Sequence, residues 1–137
     1  MRSKTIKNLN MENNQSGSKK YTFSARAKSF YHAFSGIRNF IRTEPNALIH
    51  LTATVLVILG GWLFRVSATE GSVLALAVGL VWVAEMFNTC MEKIIDFISI
   101  QEHPEIKLIK DCAAGAVLIS SLAALAAGLF IFIPKII

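Results

Sequence analysis

Charged residues are scarce in this chain. Of its 137 residues only 17% are charged and 53% are hydrophobic, and its mean hydropathy is positive. A soluble domain of this size normally carries more charge and fewer apolar residues. The composition therefore argues against an ordinary soluble enzyme and favours an integral membrane protein.

The sequence also has few cysteines and no motif of a phosphate-binding loop. The two cysteines, Cys90 and Cys112, lie in apolar stretches without a second cysteine or histidine at a metal-ligand spacing. We interpret both as small buried apolar residues. Neither the G-x-x-x-x-G-K-[ST] motif nor a kinase-type glycine loop occurs in the sequence. Any nucleotide site must therefore be built from side chains.

Positive charge is concentrated at the beginning of the chain. The net charge is +5, and nine of the 14 Lys and Arg residues precede Asn46. Residues 1–21 have little apolar content, so we expect a disordered basic leader there, without the apolar core of a removable signal peptide. Residues 22–43 place aromatic and aliphatic residues at spacings of three and four beside basic ones. This pattern predicts an amphipathic helix on an anionic membrane surface; the alternative is an ordinary core-facing helix.

Three long apolar segments follow, at about 46–64, 72–100 and 108–133. Each is long enough to cross a bilayer as a helix. A helix over 72–100 would be roughly 43 Å long against a hydrocarbon thickness of about 30 Å, so its last turns must stand out of the membrane. Pro104 suits the first turn of the third helix. We predict an all-α membrane domain, 22–137, with a surface helix and three transmembrane helices.

The distribution of basic residues also predicts the orientation. The first loop between spans carries only Arg65, whereas the leader and surface helix carry nine basic residues. By the positive-inside rule the N-terminus and the second loop are cytoplasmic, and the C-terminus lies outside.

The second span ends in a stripe of polar residues. Glu85, Asn88, Glu92 and Asp96 fall within roughly an 80° arc of a helix. Glu92 and Asp96 are expected at the cytoplasmic boundary, with Glu85 about two turns below it. A carboxylate at that depth costs on the order of 2–3 kcal/mol and usually has a partner or a task. The alternative is that these are surface acids of a protruding helix.

Two further groups reach the same boundary. In the pair Lys110-Asp111, the lysine suits a phosphate oxygen, and the aspartate suits that lysine or magnesium. The alternative is a snorkelling lysine beside a neutralising aspartate. Glu44 lies at the start of the first span, at the same boundary. The alternative is that it is only an acidic residue favoured by the dipole of the helix at its first turn. Carboxylates with a lysine at a membrane surface suit a hard cation and a polyphosphate.

Long motifs in this region resemble a known family. The run AEMFNTCMEKIIDF followed by IKLIKDCAAGAVL resembles the signature of the small prokaryotic diacylglycerol kinases, a family that includes undecaprenol kinases, and GIRNFIRTEPNALIH resembles the family's segment entering the first span. The similarity extends from about Arg26 to Lys135 and departs from many relatives at Pro45 and Gly71. It implies a homotrimeric enzyme of the bacterial cell membrane, with active sites shared between subunits.

The resemblance also assigns roles to the polar residues. Glu85 would be the general base, and Glu44 and Glu92 would hold Mg2+ with the ATP phosphates. The implied ATP-binding residues are Glu44, Asn88, Glu92, Asp96, Lys110 and Asp111. The implied substrate-binding residues are Glu85, Asn88 and Arg26.

The implied reaction is the ATP- and magnesium-dependent phosphorylation of a lipid hydroxyl at the cytoplasmic face, converting diacylglycerol to phosphatidic acid. Undecaprenol is the alternative acceptor, because both lipids offer a primary hydroxyl on an apolar body. A small oligomeric proton or cation carrier is the competing hypothesis from another class, since buried acids also mark ion pathways. The boundary acids and Lys110-Asp111 favour the kinase. No nucleic-acid partner is expected, because the basic excess belongs to the leader and the surface helix.

Overall fold

The computed structural model describes residues 23–98 and 103–137. These residues form four helices, α1 (Phe23–Thr43), α2 (Pro45–Leu63), α3 (Ala68–Ile98) and α4 (Pro104–Ile136), and the described ranges contain no strand. The predicted all-α class is confirmed. The disordered leader predicted for residues 1–21 lies outside the described residues.

The described residues divide into two compact units, with the boundary between Ile37 and Arg38. In the first unit, residues 23–37 are helical and all exposed, including the large apolar side chains of Phe23, Phe30 and Phe34. The helix predicted for this segment therefore forms. Its location on a membrane surface stays a prediction.

The three later helices are the predicted spans. α2, α3 and α4 contain 19, 31 and 33 residues, and each is long and apolar enough to cross a membrane. At 1.5 Å per residue α3 and α4 are roughly 46 and 50 Å long, which exceeds the hydrocarbon thickness of about 30 Å. Both helices are therefore longer than the apolar layer is thick, and the protrusion predicted for the second span stays a prediction.

Pro45 positions Glu44 at the entrance of α2. A residue before proline is forced out of the helical region, and Glu44 accordingly has an extended backbone, with φ −103° and ψ 118°. The Glu44 N–H still donates to the carbonyl of Phe40 at 3.0 Å, which closes the last turn of α1. Pro45 then occupies the first turn of α2, where its missing N–H leaves no bond unmade. The carboxylate of Glu44 is thus held at the junction of two helices.

The turn between α2 and α3 is determined by local hydrogen bonds at both helix ends. Arg65 has a positive φ of 51°, and the N–H of Val66 donates to the carbonyl of Gly61 at 2.9 Å, which is the pattern of a Schellman C-cap. Ser67 and Glu70 form a capping box: the Ser67 N–H donates to the Glu70 carboxylate at 2.8 Å, and the Glu70 N–H donates to the Ser67 hydroxyl at 3.3 Å. This box starts α3 at Ala68, four residues before the predicted beginning of the second span.

α3 and α4 pack side by side as an antiparallel pair. Lys110 of α4 contacts Asp96 near one end, and Lys135 of α4 contacts Glu70 near the other. α4 begins as predicted with Pro104 in its first turn, preceded by His103, whose ring nitrogen accepts from the Glu105 N–H.

The α3 helix is the most buried of the three. In its most apolar stretch of 18 residues 28% of the residues are buried, compared with 6% for α2 and for α4. Most large apolar side chains therefore face outward, as suits a lipid environment. Cys90 and Cys112 are also exposed, so the prediction that both are buried was wrong. They lie on helix faces turned away from the neighbouring helices, where a small apolar residue can face lipid.

Candidate active site

The polar stripe of α3 changes steadily in exposure along the helix. Glu85 and Asn88 are only 2% and 7% exposed, Glu92 is half-buried, and Asp96 is exposed. Helical spacing puts all four on one side of α3, so the stripe runs from an exposed residue to buried ones. A polar side chain at the deep end needs a partner, because burying it unpaired is costly.

Glu85 faces a histidine of α2. The Nε2 atom of His50 lies 3.7 Å from a carboxylate oxygen of Glu85, and the two side chains are 17% and 3% exposed. A second contact joins the same two helices: the Trp82 indole N–H donates to the Thr54 hydroxyl at 3.0 Å. Glu85 is therefore enclosed between α2 and α3.

One buried oxygen beside Glu85 has no partner. The Asn88 amide nitrogen donates to the Glu92 carboxylate at 3.0 Å, while the Asn88 Oδ1 atom is buried and, within the described part of the chain, accepts no hydrogen bond. An unsatisfied buried carbonyl costs about 1–3 kcal/mol, and a bound water or ion is one way to satisfy it. An amide oxygen next to a carboxylate is a donor set that suits Mg2+.

Two ion pairs lie near the exposed end of the stripe. Glu44, at the N-cap of α2, pairs with Lys93 of α3, and Asp96 of α3 pairs with Lys110 of α4 at 2.6 Å. Asp111 lies exposed next to Lys110. Among the described residues, no three His, Cys, Asp or Glu side chains are already gathered closely enough to hold a metal ion. Glu44 and Glu92, the predicted magnesium ligands, thus have protein partners of their own here.

The sequence reasoning missed two members of this group. Lys93 had no predicted role, although a lysine directly beside Glu92 at the membrane boundary could have indicated one. His50 was visible as the sole ionisable interruption of an apolar span, but its partner on another helix depends on packing. Arg26 is exposed on the first unit, and its role in substrate binding stays a prediction.

An apolar cavity of about 380 Å3 lies between α2, α3 and α4. His50 and Trp82, which belong to the level of Glu85, line it together with Thr54. The remaining wall is mostly aliphatic and continues along the helices as far as Leu74 and Phe132. The cavity thus has a polar group at one level and apolar walls elsewhere, an arrangement suited to a molecule with a small polar head.

A comparison with known protein families identifies the family of this chain. The prokaryotic diacylglycerol kinase family matches residues 31–132 of this chain. The chain belongs to this family. It is 38% identical over 109 residues to an undecaprenol kinase of Bacillus subtilis, an alignment that covers 80% of this chain and 89% of that protein. It is 36% identical over 110 residues to a diacylglycerol kinase of Synechocystis, covering 80% of this chain and 63% of that protein.

Family membership confirms the predicted activity class. This member of the prokaryotic diacylglycerol kinase family is a membrane lipid kinase, which transfers a phosphoryl group from ATP. The kinase hypothesis is therefore preferred to the proton or cation carrier.

Proposed function

We propose that this kinase phosphorylates the hydroxyl of a membrane lipid alcohol at the cytoplasmic face, with Glu85 as the general base. The observation that supports this most directly is the buried Glu85 carboxylate, which lies 3.7 Å from His50, a residue of the cavity wall, and on the same stripe as Asn88 and Glu92. A carboxylate in this position can accept the proton of a hydroxyl whose apolar body occupies the cavity.

The nucleotide is held one to two turns away, at the membrane boundary. Glu92 and the unpartnered Asn88 oxygen offer a site for a hard cation. Glu44, now paired with Lys93, becomes a third ligand of that cation when Lys93 binds a phosphate instead. When bound, Mg2+ would neutralise the charge of the β- and γ-phosphates. Lys110, now paired with Asp96, would contribute a phosphate contact, and Asp111 would orient that lysine.

Of the two candidate acceptors, we favour undecaprenol over diacylglycerol. The Bacillus subtilis relative, named an undecaprenol kinase, aligns over 89% of its length, whereas the relative named a diacylglycerol kinase aligns over 63%. The cavity is also almost entirely apolar below His50 and Trp82. A polyprenol carries no ester groups near its hydroxyl, so such a wall suits its chain.

The active enzyme is proposed to be a homotrimer in the bacterial cell membrane, with the N-terminus cytoplasmic. The large outward-facing apolar area of α2 and α4 leaves room for contacts between copies as well as with lipid. Magnesium, ATP and the lipid meet on the cytoplasmic side in this orientation, where cellular ATP is present.

The acceptor is identified by an assay of the purified protein in detergent micelles with radiolabelled ATP and magnesium. We expect lipid phosphate to form only when a lipid alcohol is added, with a higher kcat/KM for undecaprenol than for diacylglycerol. A higher kcat/KM for diacylglycerol would reverse the acceptor assignment. ATP consumption that needs no lipid, or no lipid phosphate with either acceptor, would contradict the proposed reaction.

Orientation is tested by labelling single cysteines with a membrane-impermeant thiol reagent in intact cells, in a background where Cys90 and Cys112 are replaced by serine. A cysteine at Thr69 should react and a cysteine at Glu102 should not, because the loop between α2 and α3 carries only Arg65 as a basic residue. The opposite pattern would put the acidic stripe on the side that lacks ATP.

A further inference from the structure

A buried carboxylate in a membrane helix has to be stabilised by something. Glu85 is 2% exposed, and an ionised carboxylate is strongly penalised in an apolar layer unless a donor or cation lies beside it. In the described part of the chain, the basic side chain within 4 Å of this carboxylate is His50. The neighbouring polar residues of α3, Asn88 and Glu92, are engaged with each other.

The backbone of His50 and its ring each have a contact of their own. On its own helix, the Thr54 hydroxyl donates to the His50 carbonyl at 2.7 Å. The same hydroxyl accepts from the Trp82 indole of α3, whose ring lies 6.3 Å from the His50 ring at an angle of 58°. Trp82 in turn packs edge-on against Phe40, at 6.1 Å between ring centroids. The imidazole of His50 thus lies beside the Trp82 ring, lines the cavity and reaches to 3.7 Å from the Glu85 carboxylate.

We propose that His50 is a positioning residue for Glu85. Its Nε2–H holds the Glu85 carboxylate toward the end of the cavity where the acceptor hydroxyl lies. This inference rests on the proposed function, because it takes Glu85 as the base. The 3.7 Å separation is slightly longer than a hydrogen bond, and contacts of this kind commonly shorten when substrate binds.

In the reaction, the acceptor hydroxyl loses its proton to Glu85 while its oxygen forms a bond to the γ-phosphorus of ATP. ADP leaves with the electron pair of the broken phosphorus–oxygen bond. His50 keeps its own proton throughout and acts only through the orientation of Glu85. Its loss should therefore lower kcat and leave the affinity for nucleotide unchanged, since the nucleotide residues lie one to two turns away.

Two substitutions separate orientation from packing. His50→Phe keeps a ring beside Trp82 but removes the donor, and His50→Gln keeps a side-chain N–H at a similar reach. We expect His50→Phe to lower kcat roughly 10- to 100-fold with an unchanged KM for ATP, and His50→Gln to stay within a few-fold of the parent. Thermal unfolding in detergent is measured on both variants, and the two midpoints should be similar. If His50→Phe does not fold, His50→Leu serves the same comparison.

Several outcomes would overturn the proposal. His50→Phe with the parent's kcat would show that Glu85 needs no such partner. His50→Gln as inactive as His50→Phe would mean that the donor does not restore function. A fall of kcat that follows a fall of the unfolding midpoint in both variants would assign His50 to packing. If the parent protein itself makes no lipid phosphate, the proposed function fails, whereas an active parent with an indifferent His50 removes this inference alone.

Discussion

The charged groups at the two ends of the α3–α4 pair differ in how completely they are paired. At one end, here called the capped end, Glu70 accepts hydrogen bonds from both the backbone and the hydroxyl of Ser67 and pairs with Lys135 at 3.1 Å. At the other, here called the acidic end, the charged and polar groups are more numerous and less completely paired. Its members are Glu44, Glu85, Asn88, Glu92, Lys93, Asp96 and Lys110.

The two ends differ in whether the partners of a charged group lie on its own helix or on another one. The Glu70 carboxylate is satisfied mainly by its own helix start, so its bonds form whenever α3 forms. At the acidic end, Glu44 depends on Lys93 of another helix, and the Asn88 oxygen has no partner among the described residues. Bonds made by long side chains across helices can be exchanged for a ligand at little cost, because each contributes little on its own. The comparison indicates a structural end and a functional end.

The strongest test of this comparison is Glu85→Gln. If Glu85 is the base, turnover should fall by roughly 10²- to 10⁴-fold, while Mg-ATP affinity stays largely intact because the proposed nucleotide site is one to two turns away. Glu85→Asp should retain a trace of activity, since its carboxylate is set back by one methylene. Turnover and nucleotide binding are measured on the same preparation. Lost nucleotide binding would move Glu85 into the ATP site, and a surviving rate would mean that another group is the base.

A smaller effect is expected from Glu92→Gln, with Glu70→Gln as its matched control at the capped end. Both changes remove one carboxylate charge and keep the size of the side chain. Glu92→Gln should lower activity by orders of magnitude, partly recovered at high magnesium, because a neutral amide is a poorer magnesium ligand. Glu70→Gln should keep the parent's activity and magnesium dependence. Equal activity of the two variants at ordinary magnesium would show that Glu92 is only a surface acid.

A third pair of variants compares the lysines of α4. Lys110→Gln should raise the KM for ATP about tenfold, because it removes a charged donor to a phosphate. Lys135→Gln, which breaks the pair with Glu70, should leave the KM unchanged. Steady-state kinetics with varied ATP measures both. An unchanged KM for Lys110→Gln would leave Lys110 as a partner of Asp96 and nothing more.

Much of the fold follows from the sequence because the strongest signal, long apolar runs, acts locally. The three spans and the Pro104 start of α4 appear as predicted. The beginning of α3 was placed too late, although the signal was present: Ser67 and Glu70 have the spacing of a capping box, and a short polar stretch was interpreted as loop. The hydrogen bonds of this capping box predict the start of α3 at Ala68.

The candidate site was only partly readable. Helical periodicity puts Glu85 and Asn88 on one face, and the structure buries both. Periodicity cannot say which residue of α2 lies opposite, because the register between two apolar helices is decided by side-chain packing. The partners Lys93 for Glu44 and His50 for Glu85 therefore appear only when the helices are brought together.

The smallest predicted effect lies at the capped end, where Arg65 follows the C-cap residue Phe64 and occupies the position that glycine usually fills. Its φ of 51° is in the left-handed region, which costs a non-glycine residue about 1–2 kcal/mol. Arg65→Gly removes that strain, and the greater freedom of glycine in the unfolded chain offsets part of the gain. We expect the protein to be more stable by at most about 1 kcal/mol, seen as a slightly higher unfolding midpoint in detergent, with kinase activity unchanged. Arg65→Ala, which removes the same charge and keeps the strain, is the matched control and should show no gain. If both variants were stabilised equally, charge and not backbone conformation would be the cause, and altered activity in Arg65→Gly would mean that the capped end is not purely structural.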